Sequence, residues 1–235
     1  MAKKNKEISS SNLIKVKPIT EGQKSVFETW KQGKNQFLFG CAGTGKTFVS
    51  LYLAMQDVLD LKTKYDKVIL VRSLIPTREI GFLPGDEEDK AALYQVPYQN
   101  MVKFMFEQPN EQAFNMLYDR LKNQGSLYFL STSFLRGLTF DNSIIIVDEC
   151  QNLNFHELDT ITTRVGQDSR IVFCGDFNQT DLLKQNERNG LHDFLRILME
   201  MQEFNCVEFN IGDIVRSGFV RNYLIQKTKL GIGME

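Results

Sequence analysis

The sequence carries no excess of charge of either sign and no long apolar run. Among its 235 residues, 28 are Lys or Arg and 29 are Asp or Glu, which gives a formal net charge of −1. This balance excludes the globally basic surface of a protein that coats nucleic acid, although it permits a local basic groove. No segment approaches the ~18 consecutive apolar residues of a membrane span, and the polar, lysine-containing start lacks an apolar signal core. We therefore expect a cytoplasmic protein with no membrane partner.

Cysteine and histidine are also scarce, with four and two residues respectively. The cysteines stand singly among apolar neighbours, and the two histidines complete no ligand spacing for zinc. This pattern predicts buried, reduced thiols. The four cysteines are Cys41, Cys150, Cys174 and Cys206.

The chain is expected to form one domain after a short basic tail. Its length and its 42% content of hydrophobic residues suffice for a single α/β domain to fold without disulfides. Residues 1–17 hold five lysines and one acid, which predicts a flexible tail; an arm that contacts phosphates is the alternative. No repeat, low-complexity segment or linker divides residues 18–235.

Short apolar runs alternate with helical patterns along this domain. Such alternation predicts a mostly parallel sheet with helices on both faces. The predicted strands are Phe37–Phe39, Val68–Val71, Leu127–Leu130, Ile144–Val147, Ile171–Cys174 and Val207–Phe209. The predicted helices are Lys46–Leu61, Glu87–Glu107 with a break near Pro97, Glu111–Asn123, Phe155–Val165, Asn189–Glu203 and Arg216–Lys229.

A phosphate-binding loop follows the first predicted strand. The run matches G-x-x-x-x-G-K-[ST] between a strand and a helix, which is the context that the motif requires. Its glycines let backbone N–H groups surround phosphate oxygens, Lys46 is expected to reach the β and γ phosphates of ATP, and Thr47 is expected to bind Mg²⁺. The loop consists of Gly40, Cys41, Ala42, Gly43, Thr44, Gly45, Lys46 and Thr47.

Two acids directly follow the apolar strand that is predicted at Ile144–Val147. Asp148 is placed to hold Mg²⁺, and Glu149 is placed to orient and polarise an attacking water. Two solvated acids at a strand end would be the ordinary interpretation of this segment alone. Together with a phosphate loop in the same sheet, the pair predicts a hydrolase.

Three glutamines extend this predicted site. Gln179 follows another buried strand, in Gly175–Gln179, and its amide is expected to contact the γ-phosphate or the attacking water. Gln151 completes the D-E-x-Q pattern of helicase-type ATPases. Gln23 lies 17 residues before the loop and is a candidate for contact with the adenine edge, with an ordinary surface glutamine as the alternative.

Three other functions share some of these features. A GTPase is disfavoured because Gln179 occupies the lysine position of an N-K-x-D motif and the segment that begins at Asp148 does not match D-x-x-G. A small-molecule kinase must exclude water, whereas Glu149 is poised to activate it. An ATP-binding scaffold without turnover remains the third alternative, and measured ATP hydrolysis distinguishes it from an enzyme.

An ordered set of further motifs resembles the PhoH-like family, single-domain ATPases related to the motor domains of superfamily 1 helicases. The resemblance runs from about Ile19 to Ile225. In addition to the phosphate loop, the matching motifs are Arg72, Gly81–Asp86, Pro97–Met101, Phe134–Gly137, Val147–Asn152, Gly175–Leu182, Asn189–Leu191 and Asp213–Ser217. The resemblance implies a RecA/helicase-like P-loop NTPase domain that uses ATP and Mg²⁺ and acts on single-stranded nucleic acid. RNA is the favoured substrate over DNA.

The resemblance also suggests roles for three arginines. Arg72 and Arg136 follow predicted strands where helicase-type motors hold nucleic acid, and arginine pairs well with phosphate. A superfamily 1 motor takes an arginine from a second domain, for which this chain is too short. Arg216 is the candidate finger, acting in trans within a homohexameric ring; a helix-start arginine paired with nearby carboxylates is the alternative.

Overall fold

Six strands form one sheet, and each pairs in parallel with its neighbours. The structure of the chain is a computed structural model that describes residues 6–72, 87–132, 135, 137–176 and 190–230. The strands are β1 Asn35–Gly40, β2 Lys67–Arg72, β3 Leu127–Ser131, β4 Ser143–Val147, β5 Arg170–Gly175 and β6 Phe204–Phe209. Their order is β3-β2-β4-β5-β1-β6. All six predicted strands are confirmed, each within a few residues.

Helices cover both faces of this sheet, as predicted. They are α1 Glu21–Trp30, α2 Lys46–Leu59, α3 Glu87–Phe106, α4 Glu111–Asn123, α5 Phe155–Thr162, α6 Leu191–Glu200 and α7 Gly218–Lys229. Alternate residues of β4 contribute to different cores: Ile144 and Ile146 pack with α1 to α4, whereas Ile145 and Val147 pack with α5 and α6. The near-continuous apolar character of the strands follows from this burial on both sides.

Two helices differ from the prediction. The sequence analysis did not predict α1, although Thr20 is an N-cap whose hydroxyl accepts from the Gln23 N–H. Helix α3 continues through Pro97, so the predicted break is wrong. A proline removes one backbone hydrogen bond, but the following turns are anchored in the core by Tyr98 and Val102, both nearly fully buried.

Residues 6–17, which the sequence assigns to a flexible tail, pack against the domain. Ile8 and Leu13 are buried, and the Ile14 N–H donates to the Met105 carbonyl at 2.9 Å. The Val16 N–H donates to the Tyr52 hydroxyl. Burial of the apolar side chains in this segment outweighs its lysine content, which had suggested mobility.

The strand order brings the chemically important segments to one edge of the sheet. Strand β5 lies between β1 and β4, and all three run in the same direction. The phosphate loop after β1, the acids after β4 and Asp176 after β5 therefore leave the sheet side by side, at the edge where open α/β sheets bind ligands. Among the described residues, no helix has the length and apolar character of a membrane span.

Candidate active site

The phosphate loop has a backbone shape that requires glycine at its turns. Gly40 adopts φ 117° and Gly43 adopts φ 72°, in the region that side chains disfavour. A Cβ on Gly40 would also collide with the carbonyl oxygen of Phe209 in the neighbouring strand. That carbonyl accepts from the Cys41 N–H at 2.8 Å. The loop is thus anchored to β6 at its start, and the helix that follows points its positive end toward the loop.

Lys46 is the buried cation of the site. Its side chain is 5% exposed, and its Nζ donates to the carbonyls of Cys41 at 2.7 Å and Gly40 at 3.2 Å. The same ammonium lies 2.7 Å from Oδ1 of Asp176, which follows β5. A phosphate that approaches Lys46 would compete with this carboxylate, because both are anions that pair with one ammonium.

Thr47 and Asp148 meet directly although 101 residues separate them in the sequence. The Thr47 hydroxyl donates to Asp148 Oδ1 at 2.6 Å, and Asp148 is buried. The other carboxylate oxygen, Oδ2, accepts from the Tyr98 hydroxyl at 2.7 Å. A hydroxyl and a carboxylate are hard oxygen ligands that suit Mg²⁺, which also keeps waters and binds substrate phosphates. The residues present therefore fit the predicted metal.

Glu149 stands next to this pair in a strained conformation. Its backbone is left-handed at φ 53°, which costs a non-glycine residue about 1–3 kcal/mol. Gln151 donates to Glu149 Oε2 at 2.6 Å and accepts from the Asp176 N–H at 3.1 Å. Burial raises the pKa of Glu149, the charges of Asp148 and Asp176 raise it further, and the Gln151 hydrogen bond opposes the shift. A raised pKa brings the carboxyl closer to the range of a general base.

Gln23 lies against the phosphate loop rather than at the surface. It is 6% exposed, and its Nε2 donates to the Thr44 carbonyl at 3.0 Å while its Oε1 accepts from the Ile19 N–H at 3.0 Å. The amide is therefore already bonded at both ends within the protein. Contact with the adenine edge stays a prediction.

Arg216 lies beside the phosphate loop of its own chain. A Cβ built on Gly43 would be 3.0 Å from Arg216 Cγ and 3.0 Å from Leu224 Cδ1 of α7. The Val215 N–H donates to the Gly43 carbonyl at 3.0 Å, which fixes this segment on the loop. Arg216 itself is exposed. Its position beside the loop is consistent with a role toward phosphate, and action in trans stays a prediction.

Arg72 ends β2 and lies at the same edge. The nearby charges of Asp148 and Glu149 favour the charged form of its guanidinium. It also lies over the Tyr94 ring, 5.9 Å from the ring centroid. Arg72 is half-buried. The residue that the sequence predicts to contact nucleic acid therefore lies next to the acids of the ATP site.

Two predicted site residues lie outside the described residues. Gln179 falls within residues 177–189, and Arg136 falls at a separate undescribed position. Their expected contacts with the γ-phosphate and with nucleic acid stay predictions. Conversely, the structure adds Tyr98 and Asp176, to which sequence reasoning gave no role. Both lie inside motifs of the family resemblance, which was the signal available.

Comparison with known proteins finds relatives over most of the chain. A family model described as "PhoH-like protein" matches residues 15–226. Protein PhoH2 of Bacillus subtilis is 35% identical over 145 residues, 61% of this chain and 32% of that protein. A PhoH-like protein of Synechocystis is 32% identical over 186 residues, 79% and 54% of the two chains. Protein PhoH of Escherichia coli is 31% identical over 190 residues, 80% and 51%. The chain thus spans about half the length of these last two relatives and a third of the first.

Two solved structures are similar to the chain at 14% identity. One is the large terminase of a thermophilic bacteriophage in complex with ADP, with a TM-score of 0.49 over 89% of this chain and 50% of that chain. The other is the SWI2/SNF2 ATPase core of Sulfolobus solfataricus in complex with dsDNA, with a TM-score of 0.47 over 78% and 34%.

The environment of Glu149 predicts that its charge destabilises the folded protein. Its pKa lies above the usual value of 4.5, so ionised Glu149 lowers the stability at pH 7, and acidification through the raised pKa relieves the loss. Glu149→Gln should increase the free energy of unfolding at pH 7 by about 1 kcal/mol, measured by urea denaturation. The gain should shrink on acidification. The exposed Glu200→Gln is the control; a lower stability of Glu149→Gln at pH 7 would contradict the prediction.

Proposed function

The chain belongs to the PhoH-like protein family, and from this premise we propose that it is a Mg²⁺-dependent ATPase domain that couples hydrolysis to movement on, or remodelling of, single-stranded nucleic acid. One observation carries the proposal. The Thr47 hydroxyl and the Asp148 carboxylate lie 2.6 Å apart, at the junction of a glycine-rich phosphate loop and an acidic strand end. This is the arrangement with which P-loop NTPases hold Mg²⁺ against a nucleotide.

Each residue of the site would have a separate role in ATP hydrolysis. Backbone N–H groups of the loop and Lys46 would hold the phosphates, while Thr47 and Asp148 would hold Mg²⁺. The bound ion neutralises charge that develops on the phosphate oxygens. Glu149 would orient the attacking water and accept its proton. Gln179, which follows β5 in the sequence, would contact the γ-phosphate, so its contacts would change when the phosphate leaves.

We expect two substitutions to separate nucleotide binding from turnover. Lys46→Ala removes the cation at the loop, so it should weaken ATP binding and lower turnover by about 10²–10³-fold. Glu149→Gln keeps the shape and removes the base, so it should bind ATP with Mg²⁺ normally and hydrolyse it about 10²–10⁴-fold more slowly. Phosphate release and calorimetry measure the two properties.

The matched control for Lys46→Ala is Lys34→Ala, because Lys34 is exposed and precedes β1 at the opposite end of that strand. Wild-type binding of ATP without any turnover would favour the scaffold function. GTP that outcompetes ATP would favour a GTPase-type switch. Wild-type turnover by Lys46→Ala would refute the assigned site.

The nucleic-acid partner is proposed from the family and from two arginines. Arg72 ends β2 at the edge that carries the ATP site, and Arg136 follows β3 in the sequence. A nucleic-acid strand held by Arg72 would lie close to the hydrolysing residues. Single-stranded RNA is the first probe and single-stranded DNA the second. Stimulation of ATP turnover by either one would support coupling.

Arg136→Ala should weaken binding of single-stranded RNA at all sequences and lower the salt slope of log K by about 1, because one phosphate contact and its released counterion are lost. Fluorescence anisotropy at several salt concentrations measures both. Arg120→Ala, which removes an exposed arginine from α4, is the control. Equal affinity and slope in both variants would remove Arg136 from the interface.

We also propose that Arg216 supplies the arginine finger to a neighbouring loop in a homohexameric ring. Its exposure leaves the guanidinium available to a second subunit, and its attachment to Gly43 through Val215 links it to its own loop. A finger raises turnover by about 10³–10⁵-fold. Head-to-tail contacts related by rotation close a ring.

Mixing of inactive subunits tests this arrangement. Lys46→Ala and Arg216→Ala should each be inactive alone, whereas the mixture should regain activity at interfaces that pair an intact loop with an intact finger. Light scattering should show a large oligomer. Turnover by a monomer at a rate independent of protein concentration would refute action in trans, and an inactive mixture in an intact oligomer would assign Arg216 to its own loop.

A further inference from the structure

A tyrosine and an arginine lie behind the predicted Mg²⁺ ligand. The Tyr98 hydroxyl donates to Asp148 Oδ2 at 2.7 Å. Arg72 ends β2 beside Asp148, whose N–H donates to the carbonyl of the preceding Val71 at 3.0 Å. The three residues come from different elements and are distant in sequence, so only the folded protein brings them together.

The Tyr98 hydroxyl is a fixed donor. Its side chain is 2% exposed, and a phenol carries its proton at neutral pH. An ionised carboxylate only accepts hydrogen bonds, so the hydroxyl directs its O–H at Asp148.

The Asp148 carboxylate is consequently held at both oxygens. Oδ1 accepts from Thr47 and Oδ2 accepts from Tyr98. Donors on both oxygens fix the plane of the carboxylate. Partners of this kind orient a metal ligand and tune its affinity, and their loss costs about 10–100-fold in metal affinity or activity.

Arg72 adds charge to this geometry. Asp148 and Glu149 are adjacent acids in a partly buried site, and each interacts with the Arg72 guanidinium. A cation on their outer side offsets their mutual repulsion. The guanidinium also lies over the Tyr94 ring of α3, 5.9 Å from its centroid.

We propose that Tyr98 and Arg72 are positioning residues of the Mg²⁺ site: Tyr98 sets the orientation of the Asp148 carboxylate, and Arg72 balances the charge of the two acids. This inference rests on the proposed ATPase function. It assigns to Arg72 a role within the hydrolytic site in addition to its predicted contact with nucleic acid.

Tyr98→Phe removes only the hydroxyl and tests the proposal. A fluorescent ADP analogue is titrated onto the protein without Mg²⁺ and then at increasing Mg²⁺ concentrations, so that its affinity is measured at each Mg²⁺ concentration. The half-saturating Mg²⁺ concentration should rise about 10–100-fold, while the affinity for ADP without Mg²⁺ stays within about twofold. In the ATPase assay, excess Mg²⁺ should restore most of the lost turnover.

Tyr118→Phe is the matched control, because Tyr118 is also a buried tyrosine of the same helical layer and lies in α4. It should leave the Mg²⁺ requirement unchanged. If Tyr98→Phe does not fold, Arg72→Lys and Arg72→Met replace it. Lysine keeps a charged donor and should stay closer to wild type in the Mg²⁺ titration than methionine, and equal behaviour of the two would overturn the role of Arg72.

The failures of the two proposals are distinguishable. A wild-type Mg²⁺ requirement in folded Tyr98→Phe would overturn the positioning role while leaving the ATPase intact. An equal loss of ADP affinity with and without Mg²⁺ would also overturn it, since that pattern is expected of a residue that supports only the fold. Absence of nucleotide binding by the wild-type protein would instead refute the proposed function.

Discussion

The Asp148 carboxylate holds together parts of the molecule that the sheet does not join. Strand β4, which carries it, is separated from β1 by β5, so no backbone pairing connects the acid to the phosphate loop. Side-chain hydrogen bonds make that connection: Thr47 reaches it from the start of α2 and Tyr98 reaches it from α3. The distance between loop and acid, on which Mg²⁺ binding depends, is therefore set by two hydroxyl groups and by the packing of their helices.

The phosphate loop is anchored to β6 and to the segment that follows β6. Phe209 accepts from Cys41, and Val215 donates to Gly43. Buried Asp213 accepts from Gly22 at 2.8 Å and from Asn210 at 2.8 Å, which ties the end of β6 to the start of α1. These bonds satisfy backbone groups at the turns and hold the loop in a shape that its glycines alone would leave free.

The same edge of the sheet concentrates unfavourable features. Glu149 has a left-handed backbone and a raised pKa, Lys46 is a nearly buried ammonium, and Asp176 and Asp148 add further charge within a small volume. Elsewhere in the described structure the two cores are mostly apolar. Strain and charge of this kind are commonly retained where they serve chemistry, and the surrounding parallel sheet supplies the stability that tolerates them.

Much of this arrangement follows from local patterns in the sequence. The six apolar runs predicted the six strands because strands buried on both faces are continuously hydrophobic, and the loop and acids were recognisable because their residue types and spacing are required by phosphate chemistry. Helix α1 was not predicted because ten residues with a mixed pattern give a weak signal. The break predicted at Pro97 is wrong because the local cost of proline is smaller here than the gain from burying the turns after it.

The tertiary structure alone decided which residues meet. Tyr98 of α3 donates to Asp148, Asp176 pairs with Lys46, and Gln23 turns inward to the loop. None of these contacts has a sequence period or spacing, because each depends on the strand order and on how α1 and α3 pack against the sheet. The sequence by itself determined the elements and the chemical groups, whereas the packing of distant elements determined their partners.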